Sequence, residues 1–165
     1  MIKKLDQFFN VFGKIEMWLS SFFLLLITGL ILLQIFCRYI LGSPLIWPEE
    51  LAIIFTLWMS FIGASYVHKK NRHLTLNFIV DRMPKTLAMI IDLVTHLMVI
   101  YFCYIIIKGG LRILPIQARN LSPALHIPSS FYTIPLLVAG ACMILYSAYY
   151  ILRILRQKPL SKEKS

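Results

Sequence analysis

Four blocks of this chain stay apolar for about 20 residues or more, the length a helix needs to cross a hydrocarbon layer roughly 30 Å thick. No other feature restricts its folding as strongly. The first block runs from Trp18 to Cys37 without a charge, and the second from about Pro48 to Val67. The third covers Pro84 to Ile107, and the fourth about Phe131 to Leu152. Inside such a layer no water is available to backbone amides, so each segment must satisfy its own hydrogen bonds, and a helix does so locally. Composition agrees. The chain is 59% hydrophobic and 15% charged with a mean hydropathy of +0.75, whereas soluble domains carry about 25% charged residues. These patterns predict an all-α integral membrane protein: one membrane domain over residues 1–165, four transmembrane helices and no sizeable soluble domain beside them.

A net charge of +10 raises the question of nucleic acid. The basic residues flank the apolar blocks instead of forming one patch, which argues for membrane topology and against nucleic-acid binding. Lys3, Lys4 and Lys14 precede the first block. Lys69, Lys70, Arg72, Arg82 and Lys85 lie between the second and third, and Arg153, Arg156, Lys158, Lys162 and Lys164 follow the fourth. Only Arg38, Lys108, Arg112 and Arg119 fall in the other two connections. Cytoplasmic loops carry the excess of Lys and Arg, so both termini and the middle loop are expected in the cytoplasm. The first block is too long for a signal-peptide core and no small-residue cleavage motif follows it before Arg38, so it reads as a retained helix. Trp18, Trp47, Tyr146, Tyr149 and Tyr150 fall at block ends, where headgroups favour amphipathic rings. Cys37, Cys103 and Cys142 are widely spaced in apolar surroundings and read as small fillers, with neither metal-ligand nor disulfide spacing.

Polar residues near the blocks carry the functional questions. Glu49 and Glu50 follow Trp47-Pro48 at the start of the second block. Proline suits a first helical position and carboxylates suit the positive end of the helix dipole, so a plain helix start is one reading. A docking surface for a periplasmic partner, or an ion pair with one, is the other. Gln34 and Arg38 lie one turn apart at the end of the first block, where Arg38 can snorkel outward or meet Glu49 or Glu50. Asp92 and His96 share a face of the third block, counted about 12 and 18 Å from Pro84. They read either as a hydrogen-bonded pair facing another helix or as a proton or ion relay. Trp58 falls mid-block, suited to packing on a neighbouring helix. Ser60, Gly63 and Ala64 offer a small-residue face. The stretch from Lys108 to Tyr132 holds Pro115, Pro123 and Pro128. It reads as a long outer loop whose Leu111, Ile113, Leu114 and Ile116 suit the membrane surface or a partner. The segment "HLTLNFIVDRMP" is expected along the inner interface.

Haem anchoring wants at least two histidines at ligating depth. His68, His73 and His126 fall in loops or at block ends, leaving His96 alone. No nucleophile arrangement or phosphate-cradling glycine loop is present, so neither an enzyme nor a cofactor is expected. The four blocks show no internal repeat and no broken span, which leaves little machinery for alternating access by this chain alone.

The stretch "RYILGSPLIWPEELAIIFTLWMSFIGASYVHKKNRHLTL" resembles the small membrane subunit of tripartite ATP-independent periplasmic (TRAP) transporters, the DctQ-like family. The likeness rests on Arg38-Tyr39, on Trp47, Glu49, Glu50, Leu51 and Ala52, on Trp58, on Phe61, Gly63 and Ala64, and on His73. The later "ALHIPSSFYTIPLLVAGACMIL", with Pro128, Pro135 and Gly140, looks like the family's entry to the fourth helix. Ile53 and Asn77 depart from it, where the family often has Arg and Asp. The resemblance implies a large membrane subunit that carries the substrate and sodium sites and moves as an elevator. It also implies a periplasmic binding protein that delivers an organic acid such as a C4-dicarboxylate or a sialic acid. The small subunit would brace the static part of the large one in the phospholipid bilayer of a bacterial inner membrane and help receive the binding protein. Arg38, Trp47, Glu49, Glu50 and His73 would orient helices or meet partners; Trp58, Gly63, Ala64 and Gly140 would pack helices. The alternative is a small homo-oligomeric proton or ion channel or transporter built on Asp92 and His96.

Overall fold

A computed structural model describes residues 2–43, 45–70 and 85–156. His73 and the "HLTLNFIVDRMP" segment lie outside the described residues. Among those described, the fold is all-helical. Helix α1 covers Ile2–Tyr39, α2 Trp47–Lys70, α3 Lys85–Gln117 and α4 Ser130–Arg156. All four are long and apolar enough to cross a membrane.

The helices form an open row instead of a closed bundle: α1 packs on α2, α2 on α4, and α4 on α3. Aromatic rings fill the first seam, where Phe23 of α1 stacks on Phe55 at 5.4 Å and meets Trp58 at 6.4 Å. Gly63 faces Ser20 in the same seam, while Ala64 and Ser60 turn outward. A row has two edges, and α1 and α3 occupy them. Their outward faces carry large exposed side chains, among them Leu25, Leu32, Met98, Tyr101 and Phe102. For a membrane protein this is the expected inversion, because lipid tails are as apolar as leucine.

Two helices are longer than the apolar blocks from which they were expected. α1 begins at Ile2, not Trp18, because Phe9 and Phe12 have rings to pack on: Phe9 lies 5.4 Å from Tyr146 and 4.7 Å from Tyr149, and Phe12 lies 6.3 Å from Tyr146. α3 runs past Gly109-Gly110 to Gln117, where an outer loop was expected from Lys108 onward. The glycines are not turn residues. A Cβ on Gly110 would sit 2.5 Å from a Leu137 methyl carbon, and one on Gly140 would sit 3.4 Å from Ile107. They let α3 and α4 approach each other closely. Pro115 fits because it stands in the last turn of α3, two residues before the end, where little helix remains to be disrupted.

Replacing Gly110 with alanine is therefore expected to force Leu137 out of its position, at about 1–3 kcal/mol for overpacking. A second change, Leu137→Ala, should recover part of the loss. Thermal unfolding of the two variants in the same detergent checks the pairing, and equal stability of Gly110→Ala and the wild type would contradict it.

Candidate functional site

Glu49 and Glu50, adjacent in the chain, have different environments. α2 opens at Trp47 with Pro48 fully buried, and consecutive side chains on a helix point about 100° apart. Glu49 is exposed, and its Oε2 accepts a hydrogen bond from Gln34 Nε2 of α1 at 3.0 Å. Glu50 is buried. Its Oε2 accepts the backbone N–H groups of Ala124 at 2.9 Å and Leu125 at 2.8 Å, and its Oε1 accepts the Tyr132 hydroxyl at 2.8 Å. One carboxylate thus ties α2 to the α3–α4 connection and to the first turn of α4.

That connection is itself ordered. Leu121 and Pro128 form an isolated antiparallel bridge, the Ser122 N–H donates to Ile127 O at 2.8 Å, and the Ser129 N–H donates to Asn120 O at 2.8 Å. His126 takes a left-handed backbone (φ 55°) between them. Few non-glycine residues adopt that region. The Thr133 hydroxyl donates to Gln117 Oε1, fixing the end of α3 to α4. Together these contacts form a belt at the apical end of the row, where α2 and α4 begin. Arg38 is exposed there, with its guanidinium 6.0 Å from the Tyr39 ring.

A second belt closes the basal end, where α1 begins and α2 and α4 finish. Its centre is Glu16, which the sequence reading passed over. Glu16 is buried; its Oε1 accepts the Ser65 hydroxyl at 2.9 Å and its Oε2 the Tyr146 hydroxyl at 2.8 Å. The Lys69 ammonium donates to the carbonyl of Phe9, interacts with Glu16 and lies 6.0 Å from the Tyr146 ring. Gly13 leaves the space that this lysine occupies: a Cβ there would meet Nζ at 2.5 Å. Tyr150 donates to Lys69 O at 2.7 Å, and His68 shares a hydrogen bond with Ser147 at 2.9 Å. Tyr146 and Tyr150 therefore turn into the protein, although their sequence position suggested headgroup anchors. The signal for Glu16 was faint: an acid two residues before the charge-free block, in a segment that also holds Asp6 and three lysines.

His96 belongs to this basal belt. Its ring stacks on Tyr150 at 5.2 Å and meets His68 edge-on at 5.7 Å. Asp92 is one helical turn farther toward the basal end and half-buried. The pair thus lies level with the basal contacts, His96 buried among rings and Asp92 one turn before it on α3. Between the belts, the hydroxyls of Ser21, Thr28 and Thr56 each donate to the carbonyl four residues earlier in their own helix.

The belts are about 27 Å apart along α1 from Glu16 to Gln34, and about 27 Å apart along α4 from Tyr132 to Tyr150. Along α3, from His96 to Gln117, they are about 32 Å apart. Those separations match a hydrocarbon core of about 30 Å. Polar contacts at both ends of the row, four helices and an acidic pair split between a neighbouring helix and the α3–α4 connection describe a membrane frame.

Comparison with known proteins places that frame. The family model for the DctQ component of tripartite ATP-independent periplasmic transporters matches residues 27–157. The chain belongs to this family. A Haemophilus influenzae protein with the provisional name TRAP transporter small permease protein is 27% identical over 155 residues, 94% of this chain and 92% of its own length. The sialic acid TRAP transporter small permease protein SiaQ of Vibrio cholerae is 28% identical over 111 residues, 67% of this chain and 64% of its own. The sialic acid TRAP transporter permease protein SiaT of Haemophilus influenzae is 30% identical over 100 residues, which cover 61% of this chain and only 16% of that protein.

Proposed function

We propose that this DctQ-family chain is the small accessory subunit of a sodium-coupled TRAP transporter for an organic acid of the sialic acid or C4-dicarboxylate type. It braces the static part of a large elevator subunit and presents its apical loop to a periplasmic binding protein. One observation carries this reading: the polar groups of the two belts are engaged in contacts within the chain, while the row's edges remain open. Such a chain supplies a rigid wall about as thick as the bilayer and leaves the cargo path to a neighbour. The names of the relatives SiaQ and SiaT support the substrate class, as does that of a Vibrio cholerae C4-dicarboxylate TRAP small permease protein, 25% identical over 97 residues. The match to one sixth of SiaT supports a larger permease as partner. The excess of basic residues in the N-terminal segment, between the second and third apolar blocks and after the fourth supports cytoplasmic termini in a bacterial inner membrane.

Reconstitution into vesicles tests the proposal. The chain alone should accumulate neither acid under a sodium gradient; with the large subunit and the loaded binding protein, uptake should appear. Accumulation by this chain by itself would overturn the bracing role.

A further inference from the structure

Set against the two belts, one basic residue of α3 stands out by its position along the helix. Lys108 stands about 18 Å from His96 and about 13 Å from Gln117, well inside the layer between the belts. Arg112 lies one turn nearer the apical belt. Both are exposed, and so are Tyr101 and Tyr104 on the same side. At 100° per residue these four positions fall within about 80° of arc. Cys103 and Gly110, which pack toward α4, lie on the opposite side of the helix. The edge of the row therefore carries a basic, hydroxyl-tipped stripe where a lipid-facing helix carries aliphatic side chains.

Lipid can serve only part of the stripe. A guanidinium at Arg112 reaches the apical rim by snorkelling. The stem of Lys108 covers roughly half the distance it would have to climb. An ammonium left in hydrocarbon is costly, and such residues face protein or a polar cavity. We propose that the outward face of α3 is the seat of a membrane-spanning segment of the large transporter subunit, and that this segment carries a carboxylate at the depth of Lys108. This assignment rests on the bracing role proposed above and selects α3, not α1, as the bonded edge. Charge complementarity identifies the occupant. Along α1, from Trp18 to Cys37, no charge is present, so lipid alone can cover that edge.

The test uses the full chain expressed with the large subunit and extracted in mild detergent. Lys108→Glu should lower the recovered large subunit by more than about tenfold at equal amounts of this chain, while Lys108→Arg should retain it. A benzophenone side chain at position 105, beside an intact Lys108, should cross-link to the large subunit; the same probe at position 25 of α1 should not. Full recovery with Lys108→Glu overturns the assignment, as do cross-links from position 105 to phospholipid alone. If Lys108→Glu fails to accumulate in the membrane, the cross-linking result decides. A wild-type chain that recovers no large subunit would overturn the proposed function as well, which separates the two failures.

Discussion

Replacing Glu16 with alanine is expected to loosen the basal end of the row more than any other single truncation. The change leaves the hydroxyls of Ser65 and Tyr146 buried without their acceptor; each is about 1% exposed. It also removes the negative charge next to Lys69. Hydrogen bonds between membrane helices contribute about 1–2 kcal/mol each, and those to charged groups about 1.5–3 kcal/mol, so a loss of about 2–4 kcal/mol follows. Glu16→Gln keeps one carbonyl acceptor and should lose about half as much. The readout is thermal unfolding in detergent, with Tyr146→Phe as a partner in a double-mutant cycle. If the two single losses simply add, Glu16 and Tyr146 are not coupled and the geometry of the basal belt is wrong.

The second large effect belongs to Glu50. Glu50→Ala removes the acceptor of two backbone amides and one hydroxyl, all in or next to the α3–α4 connection. The helices should survive, because α2 and α4 also meet at the basal end through His68–Ser147 and Tyr150–Lys69. The connection should not keep its shape. Amide hydrogen exchange at Ala124 and Leu125 is expected to accelerate by more than about tenfold, with little change in the middle of α2 or α4. Transport by the assembled system should fall with it if the apical loop receives the binding protein. Glu49→Ala removes one hydrogen bond to Gln34 on an exposed side chain and should be far milder. Equal effects of Glu49→Ala and Glu50→Ala on exchange would contradict the division of labour between the two carboxylates.

The difference between Glu49 and Glu50 shows where the sequence stops being informative. Position in the first turn made both carboxylates plausible dipole partners and rim groups. Nothing local to them distinguishes the one that reaches residues 74 and 75 positions away from the one that stays on the surface. Glu16 was missed for the same reason: its partners Ser65 and Tyr146 are 49 and 130 residues distant. Gly110 fell within the stretch expected to be a loop. Only the approach of Leu137 reveals it as a packing position. The spacing of Asp92 and His96 put them on one face but left open what that face meets; for His96 it is the rings of Tyr150 and His68.

From the sequence alone came the properties that depend on local composition. Apolar runs of about 20 residues dictate four membrane-crossing helices because hydrocarbon offers backbone amides no other partner. The motif from Arg38 to His73 pointed to the DctQ family. Register, neighbour and burial came only from the tertiary structure. Those depend on how far each helix slides along the next, and that register is set by distant pairs: Glu16 with Tyr146, Glu50 with Tyr132, Gly110 with Leu137. An apolar stretch longer than the bilayer can sit at several depths at similar solvation cost, and cross-helix contacts select one of them.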